Sequence, residues 1–218
     1  MRFFILENPG AGTPHDTRID EQGLKTGEIT KTCPACGRGA GSREWLPPHQ
    51  IVVMRHGKDF GDIVIGSGED CFVSEIFRKA WLSEHLKGID VFGQIDIVRV
   101  RPPKAMRLVP IYWHVIPQLV PGAIDLLKSH LLMDGSPECI YCRGSVIVNG
   151  IGGLSLNESM LQGQDLFRPL NLPGSIIVSE RFAEMVHKHR LTNALMIPVE
   201  QYLWDPLHKI VPYSKHKN

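Results

Sequence analysis

Two Cys-x-x-Cys pairs, placed 106 residues apart, constrain this chain more than any other feature. Cys33-Pro34-Ala35-Cys36-Gly37 has its counterpart in Cys139-Ile140-Tyr141-Cys142-Arg143. A second motif recurs in the same order and at nearly the same spacing. Val73-Ser74-Glu75-Ile76-Phe77 is answered by Val178-Ser179-Glu180-Arg181-Phe182, 105 residues on. Asp59-Phe60 and Asp165-Leu166, and Gly68 and Gly174, fall 106 residues apart. Agreement of independent motifs at one offset reads as an internal duplication, which governs the fold wherever it occurs.

The repeated Val-Ser-Glu segment has a local logic. A short apolar run ends at Val73 or Val178 and suits a strand. Ser74 or Ser179 then caps a helix through its hydroxyl, and Glu75 or Glu180 places negative charge at the positive end of the helix dipole. Apolar residues follow at helical spacing, Phe77, Ala80 and Trp81 in one copy and Phe182, Met185 and Val186 in the other. Gly88 and Asn193 tolerate the left-handed conformation that stops a helix. Strands are predicted to follow over 89–100 and 194–199. Between the copies, Arg101-Pro102-Pro103 stops the strand, and the pattern of Leu126, Leu127 and Leu131 predicts a helix over 123–132. The polar tail 214–218 is expected to fray.

Two CxxC pairs among five cysteines are the usual source of a tetrahedral four-thiolate zinc site, because two intervening residues let both sulfurs of a tight turn reach one metal. Cys33, Cys36, Cys139 and Cys142 are the expected ligands, and zinc the expected structural cofactor. The step of 103 from Cys36 to Cys139 far exceeds the roughly 15–20 of a zinc ribbon, and duplication accounts for the excess: each half supplies one knuckle. Three other readings stand beside this one. A thioredoxin-like redox pair needs a helix after the CxxC, whereas Gly37-Arg38-Gly39-Ala40-Gly41 does not favour one. A catalytic zinc needs an open coordination position, which four thiolates do not leave. The third is a site that has lost its metal. Cys71, in an apolar run, reads as a buried core thiol.

Composition narrows the function classes. The net charge is +1, without the basic excess of nucleic-acid binders, and no segment is apolar for long enough to span a membrane. The apolar run after Met1 is too short for a signal peptide, so the expected location is the cytoplasm, where thiols stay reduced. The ten histidines form no ligand pattern, and no hydrolase, nucleotide-binding or metalloprotease motif occurs. An enzyme is not expected.

The paired CPACG and CIYCR motifs, followed by Asp165-Leu166-Phe167-Arg168, Asn171 and Ile177-Val178-Ser179-Glu180-Arg181-Phe182, resemble the double-CXXCG-motif immunity proteins of bacterial swarm-inhibition toxin systems. The C-terminal half also resembles a broader bacterial immunity-protein superfamily. Arg143 departs from the glycine of the family motif. The resemblance implies a binding protein with a structural metal that neutralises a cognate protein toxin. It implies no binding surface. Asp165, Arg168 and Glu180 read as structural, with Glu75 and Asp59 as their first-half equivalents; 37–49 and the Pro-rich middle are the candidates for toxin contact.

The expected fold is therefore α+β: two pseudo-repeated halves, each a small sheet plus one main helix, joined by a CxxC/CxxC zinc site. Residues 1–101 form the N-terminal half with the first knuckle, 102–137 a Pro-rich connection with one helix, and 138–218 the C-terminal half with the second knuckle. The alternative function is a zinc-ribbon-type nucleic-acid binder using Arg38, Arg43, Trp45, Tyr141 and Arg143 around the knuckles, followed by a CxxC redox protein.

Overall fold

The computed structural model describes residues 1–29, 31–39, 43–66 and 70–210. The Gly68 match, Ala40 and Gly41 behind the first knuckle, and the tail 214–218 lie outside the described residues.

The elements repeat in order. The first copy runs β1 (Phe3–Glu7), β2 (Thr17–Gln22), β3 (Lys25–Thr26), β4 (Trp45–Leu46), β5 (Gln50–Arg55), β6 (Ile63–Ile65), β7 (Cys71–Ser74), α1 (Glu75–Ser83), β8 (Ile89–Gln94) and β9 (Asp96–Arg101). The second runs β10 (Tyr112–Val120), β11 (Leu131–Asp134), β12 (Ile147–Gly152), β13 (Leu166–Pro169), β14 (Ile177–Ser179), α2 (Glu180–Lys188), β15 (Leu195–Pro198) and β16 (Leu203–Trp204).

One eight-stranded sheet spans both copies, in the order β15-β1-β14-β13-β10-β7-β6, with β8 also on β10. It consists of two matching antiparallel quartets, β6-β7-β10-β8 and β13-β14-β1-β15, joined where β10 runs parallel to β13 through Gln118↔Phe167. The registers match residue by residue. Tyr112 lies opposite Ser74 and Phe3 opposite Ser179; Trp113 lies opposite Val73 and Phe4 opposite Val178. The leading strand of each copy therefore completes the quartet of the other copy: the repeats exchange their first strands. Smaller sheets, β2-β5-β9 and β11-β12-β16, flank the large one.

This architecture corrects the α+β expectation. Strand outweighs helix, 38% to 14%, and the main sheet is a curled eight-stranded one shared by both halves rather than one small sheet in each. The helix expected over 123–132 does not form. Both backbone groups of Ile124 are taken by the amide of Asn171: Ile124 N–H donates to Oδ1 at 3.2 Å and Nδ2 donates to the Ile124 carbonyl at 2.8 Å. Ile124 also bridges to Leu156. The Asp125 carboxylate then accepts from the N–H groups of Leu127 and Lys128 and closes a turn, so that Leu127 is 93% exposed rather than part of an apolar face. The predicted strand over 89–100 is divided into β8 and β9.

The two α-helices form as the capping argument requires. Ser74 accepts from Phe77 N–H and Ser179 from Phe182 N–H, each at 3.2 Å. Both helices end in the same six-residue motif. Leu86 N–H reaches back to Trp81 and Leu191 N–H to Val186, while His85 (φ 50°) and Arg190 (φ 54°) take the left-handed position. The residues that stop the helices are thus His85 and Arg190, not the predicted Gly88 and Asn193, although those also have positive φ. Gly88 is needed for space, since a Cβ there would lie 1.8 Å from the Leu166 carbonyl oxygen. Phe77 and Phe182, both fully buried, face each other with ring centroids 6.0 Å apart in the core shared by the two helices.

Two aspartates latch the halves crosswise. Asp62 accepts from the Ser74 hydroxyl in its own copy and from Thr192 N–H in the other, at 2.6 and 2.9 Å. Asp165 accepts from the Ser179 hydroxyl and from Lys87 N–H, at 2.7 and 3.0 Å. Asp62, rather than the expected Asp59, is therefore the counterpart of Asp165; Asp59 donates its N–H to the Pro14 carbonyl. Three residues of drift in the loop before β6 hide this match from a constant offset.

Candidate metal centre

Each cysteine pair sits on a tight turn. Gly37 N–H donates to the Cys33 carbonyl at 2.9 Å, and Arg143 N–H donates to the Cys139 carbonyl at 2.6 Å. The turn needs a left-handed residue after the second cysteine. Gly37 (φ 72°) meets that need without strain, and Arg143 adopts φ 69° at the matching place, with Gly144 (φ 70°) behind it. Arg143, which stands where the first knuckle has Gly37, thus leaves the turn intact. No helix follows either pair among the described residues.

The four predicted ligands converge. Their sulfurs all lie within 4.8 Å of one another, with Cys33 Sγ 3.9 Å from Cys139 Sγ and Cys36 Sγ 3.5 Å from Cys142 Sγ. A tetrahedral ion with metal–sulfur bonds of about 2.3 Å sets sulfurs about 3.8 Å apart, close to the 3.9 Å and 3.5 Å of these two pairs. All five cysteines are free thiols. Cys33 is buried beside Leu170, Leu119 and Tyr141, Cys139 and Cys142 are half-buried, and Cys36 is exposed.

The charge economy of the cluster suits a cation. Burial works against ionisation of Cys33, yet the N–H groups of Ala35 and Cys36 and the adjoining thiols of Cys142 and Cys36 bring it down to about 7. Burial and the neighbouring sulfurs push Cys142 up to about 12. One thiolate forms readily and a second resists unless a metal shares its charge. A divalent ion with four thiolates carries a net charge of about −2. Arg143 lies close enough for Cys142 to favour its charged form, although burial opposes that charge.

Other side chains fasten the knuckles. Arg38 of the first donates to Glu138 and to Ser145 beside the second, each at 2.5 Å. Asn171, fully buried, donates to the Ile140 carbonyl inside the second knuckle at 2.9 Å while holding Ile124, and its own carbonyl accepts from Arg143 at 3.3 Å. Sequence reasoning quoted Asn171 only within a resemblance and gave Glu138 and Ser145 no role; the sole hint was an asparagine in an otherwise apolar run. Three of the five groups named for nucleic-acid contact are otherwise engaged: Trp45 is buried, Arg38 is paired, and Arg143 turns inward; Arg43 is exposed and Tyr141 half-buried.

The remaining named residues are structural in their contacts. Asp165, 1% exposed, also accepts from Arg181 at 2.9 Å. Arg168 is buried and donates to the Pro173 carbonyl, and Glu180 pairs with Arg2 at the surface. Cys71 is fully buried, and burial pushes its thiol up to about 12, as befits an inert core residue. Among the described residues no helix is long and apolar enough to cross a membrane.

Neither a scan against protein-family models nor a search of curated proteins finds a match to this chain.

Proposed function

We propose that this protein is a non-enzymatic bacterial immunity protein of the cytoplasm, in which one structural zinc on Cys33, Cys36, Cys139 and Cys142 stiffens a surface that binds and neutralises a cognate protein toxin. The observation that carries the proposal is the convergence of four thiols, two from each repeat, to within 4.8 Å of one another. Such a set saturates zinc and leaves no position for substrate, so the metal's role is to join the repeats. The immunity role rests on the resemblance carried by the knuckles and by the segment from Asp165 to Phe182. The pairing of Arg38 with Glu138 and the inward placement of Arg143 and Trp45 weigh against the nucleic-acid alternative.

The test is native mass spectrometry of the protein recovered from its own host. One bound zinc and one stoichiometric protein partner, whose toxicity the chain suppresses on co-expression, is the expected result. A metal-free mass two hydrogens lighter for each CxxC pair would refute the structural zinc. A zinc-loaded chain that retains no protein partner and suppresses no toxicity would refute the immunity reading alone.

A further inference from the structure

The duplication sets each cysteine of the cluster against its own counterpart. Cys33 and Cys139 hold the same place in the two repeats, and their sulfurs lie 3.9 Å apart. Cys36 and Cys142 are matched in the same way, at 3.5 Å. Both contacts therefore cross between repeats rather than running within a knuckle. The two pairs differ in their surroundings. Cys33 is buried against Leu119, Leu170 and Tyr141. Cys36 alone of the four is exposed, on a knuckle whose Pro34 and Ala35 are exposed as well. A solute that comes to the cluster from water meets Cys36 first, and the Cys142 sulfur stands within reach behind it.

Groups other than the thiols also fasten the knuckles to each other. Arg38, two residues beyond Cys36, donates to Glu138 and to Ser145, which bracket Cys139 and Cys142 in the chain. The Cys33 N–H donates to the Arg38 carbonyl at 2.8 Å and ties this clamp to the turn of the first knuckle. Asn171 holds the Ile140 carbonyl, between the two cysteines of the second knuckle, at 2.9 Å. None of these bonds involves a sulfur. They keep Cys36 beside Cys142 when the bonds from those two sulfurs to a metal are broken.

We propose that Cys36 is a peroxide-reactive thiol and Cys142 its resolving partner, so that oxidation replaces the zinc joint between the repeats by a covalent one. The inference rests on the structural zinc of the proposed function and needs no toxin. A metal-bound cysteine is a thiolate, the form that attacks peroxide. In the first step the Cys36 sulfur takes one oxygen of hydrogen peroxide: an S–O bond forms, the O–O bond breaks and hydroxide leaves, giving a sulfenic acid. In the second the Cys142 thiolate attacks the Cys36 sulfur: an S–S bond forms, the S–O bond breaks and a second hydroxide leaves. Two electrons pass from the two sulfurs to the peroxide. Only Cys33 and Cys139 then remain for the zinc, too few for a closed tetrahedral site, and it is released. An exposed thiol with a second thiol beside it is the usual arrangement of a redox-responsive cysteine.

The experiment treats the zinc-loaded full chain with hydrogen peroxide until half of the zinc, read with a chromogenic chelator, has left. The free thiols are then blocked with N-ethylmaleimide. Peptide mapping should find Cys36 joined to Cys142, with Cys33 and Cys139 blocked, and one zinc lost for each disulfide formed. The oxidised chain should melt several degrees above the reduced chain stripped of zinc by a chelator, because the new bond closes the same long loop that the metal closed. Dithiothreitol followed by zinc should restore the starting mass. A first disulfide within either CxxC pair, zinc release with Cys36 carried only to the sulfinic acid, or zinc retained under excess peroxide would overturn the proposal and leave the zinc reading standing. A chain that holds no zinc before oxidation would overturn the zinc reading, and this inference with it.

Discussion

The Asp165 carboxylate accepts the Lys87 backbone N–H at 3.0 Å, so a group on one repeat holds the segment that leaves the helix of the other. Asp62 does the same to Thr192. Asp165 is 1% exposed and also takes the Ser179 hydroxyl and Arg181, so its charge is fully used. Asp165→Asn should lower stability by about 3 kcal/mol in urea unfolding, the order expected when charge-assisted bonds at a buried site are broken. Asp62→Asn should cost less, because that site is partly open. Asp59→Asn should change little, which would separate the true counterpart of Asp165 from the one suggested by spacing alone.

Gly37→Ala places a Cβ on a residue with φ 72° where nothing lies within 4 Å, so backbone strain alone is added. The left-handed region costs an L-residue roughly 1–2 kcal/mol. The variant should lose about that much stability and surrender zinc to a chelator faster than the parent. A metal release rate equal to the parent's would mean that the turn does not govern the site.

Phe77→Ala and Phe182→Ala each empty a fully buried ring site and should cost about 3–5 kcal/mol. Because the rings face each other at 6.0 Å, the double variant should lose less than the two single losses together. Full additivity in a double-mutant cycle would show that the two helices are stabilised separately.

Glu84 caps α1 and His189 caps α2 at matching positions, and they meet at 2.7 Å, with Lys188 2.8 Å from the same carboxylate oxygen. Lys188 first, and His189 after it, hold the Glu84 carboxyl below its ordinary 4.5. A depressed carboxyl contributes stability that is present above its unfolded value and is lost as pH falls through the folded one. Acid titration of stability below pH 4.5 should therefore be shallower in Glu84→Gln than in the parent, while the two curves run parallel near neutrality. An unchanged acid slope would mean the contact is screened away by solvent.

Much of the site was legible because its signals are local. A CxxC turn and a Ser-capped helix start are written within five residues, so the four clustered cysteines and both helices could be read directly. The helix expected over 123–132 failed because Asn171, 47 residues further on, occupies both backbone groups of Ile124; no apolar periodicity in the segment itself carries that information. The exchange of β1 and β10 was equally hidden. A strand's alternation says which face is buried but not which copy of a duplicated quartet it joins. Asp62 was missed because spacing was held constant through a loop of different length.

That exchange sets a timetable for the nascent chain. Among the described residues β1 pairs with β14 and β15 alone, and its contact with Ser179 closes a loop of about four-fifths of the polypeptide. At about 5–20 residues per second, ribosomal synthesis keeps Phe3-Phe4-Ile5-Leu6 waiting for roughly 10–35 s before its partners exist. An apolar, strand-prone tetrapeptide left unpaired for so long is an aggregation hazard, and here Arg2 and Glu7 flank it as charged gatekeepers. Both later find native partners, Glu180 for Arg2 and Tyr202 for Glu7, so the charges that guard the strand before folding help hold it in place afterwards.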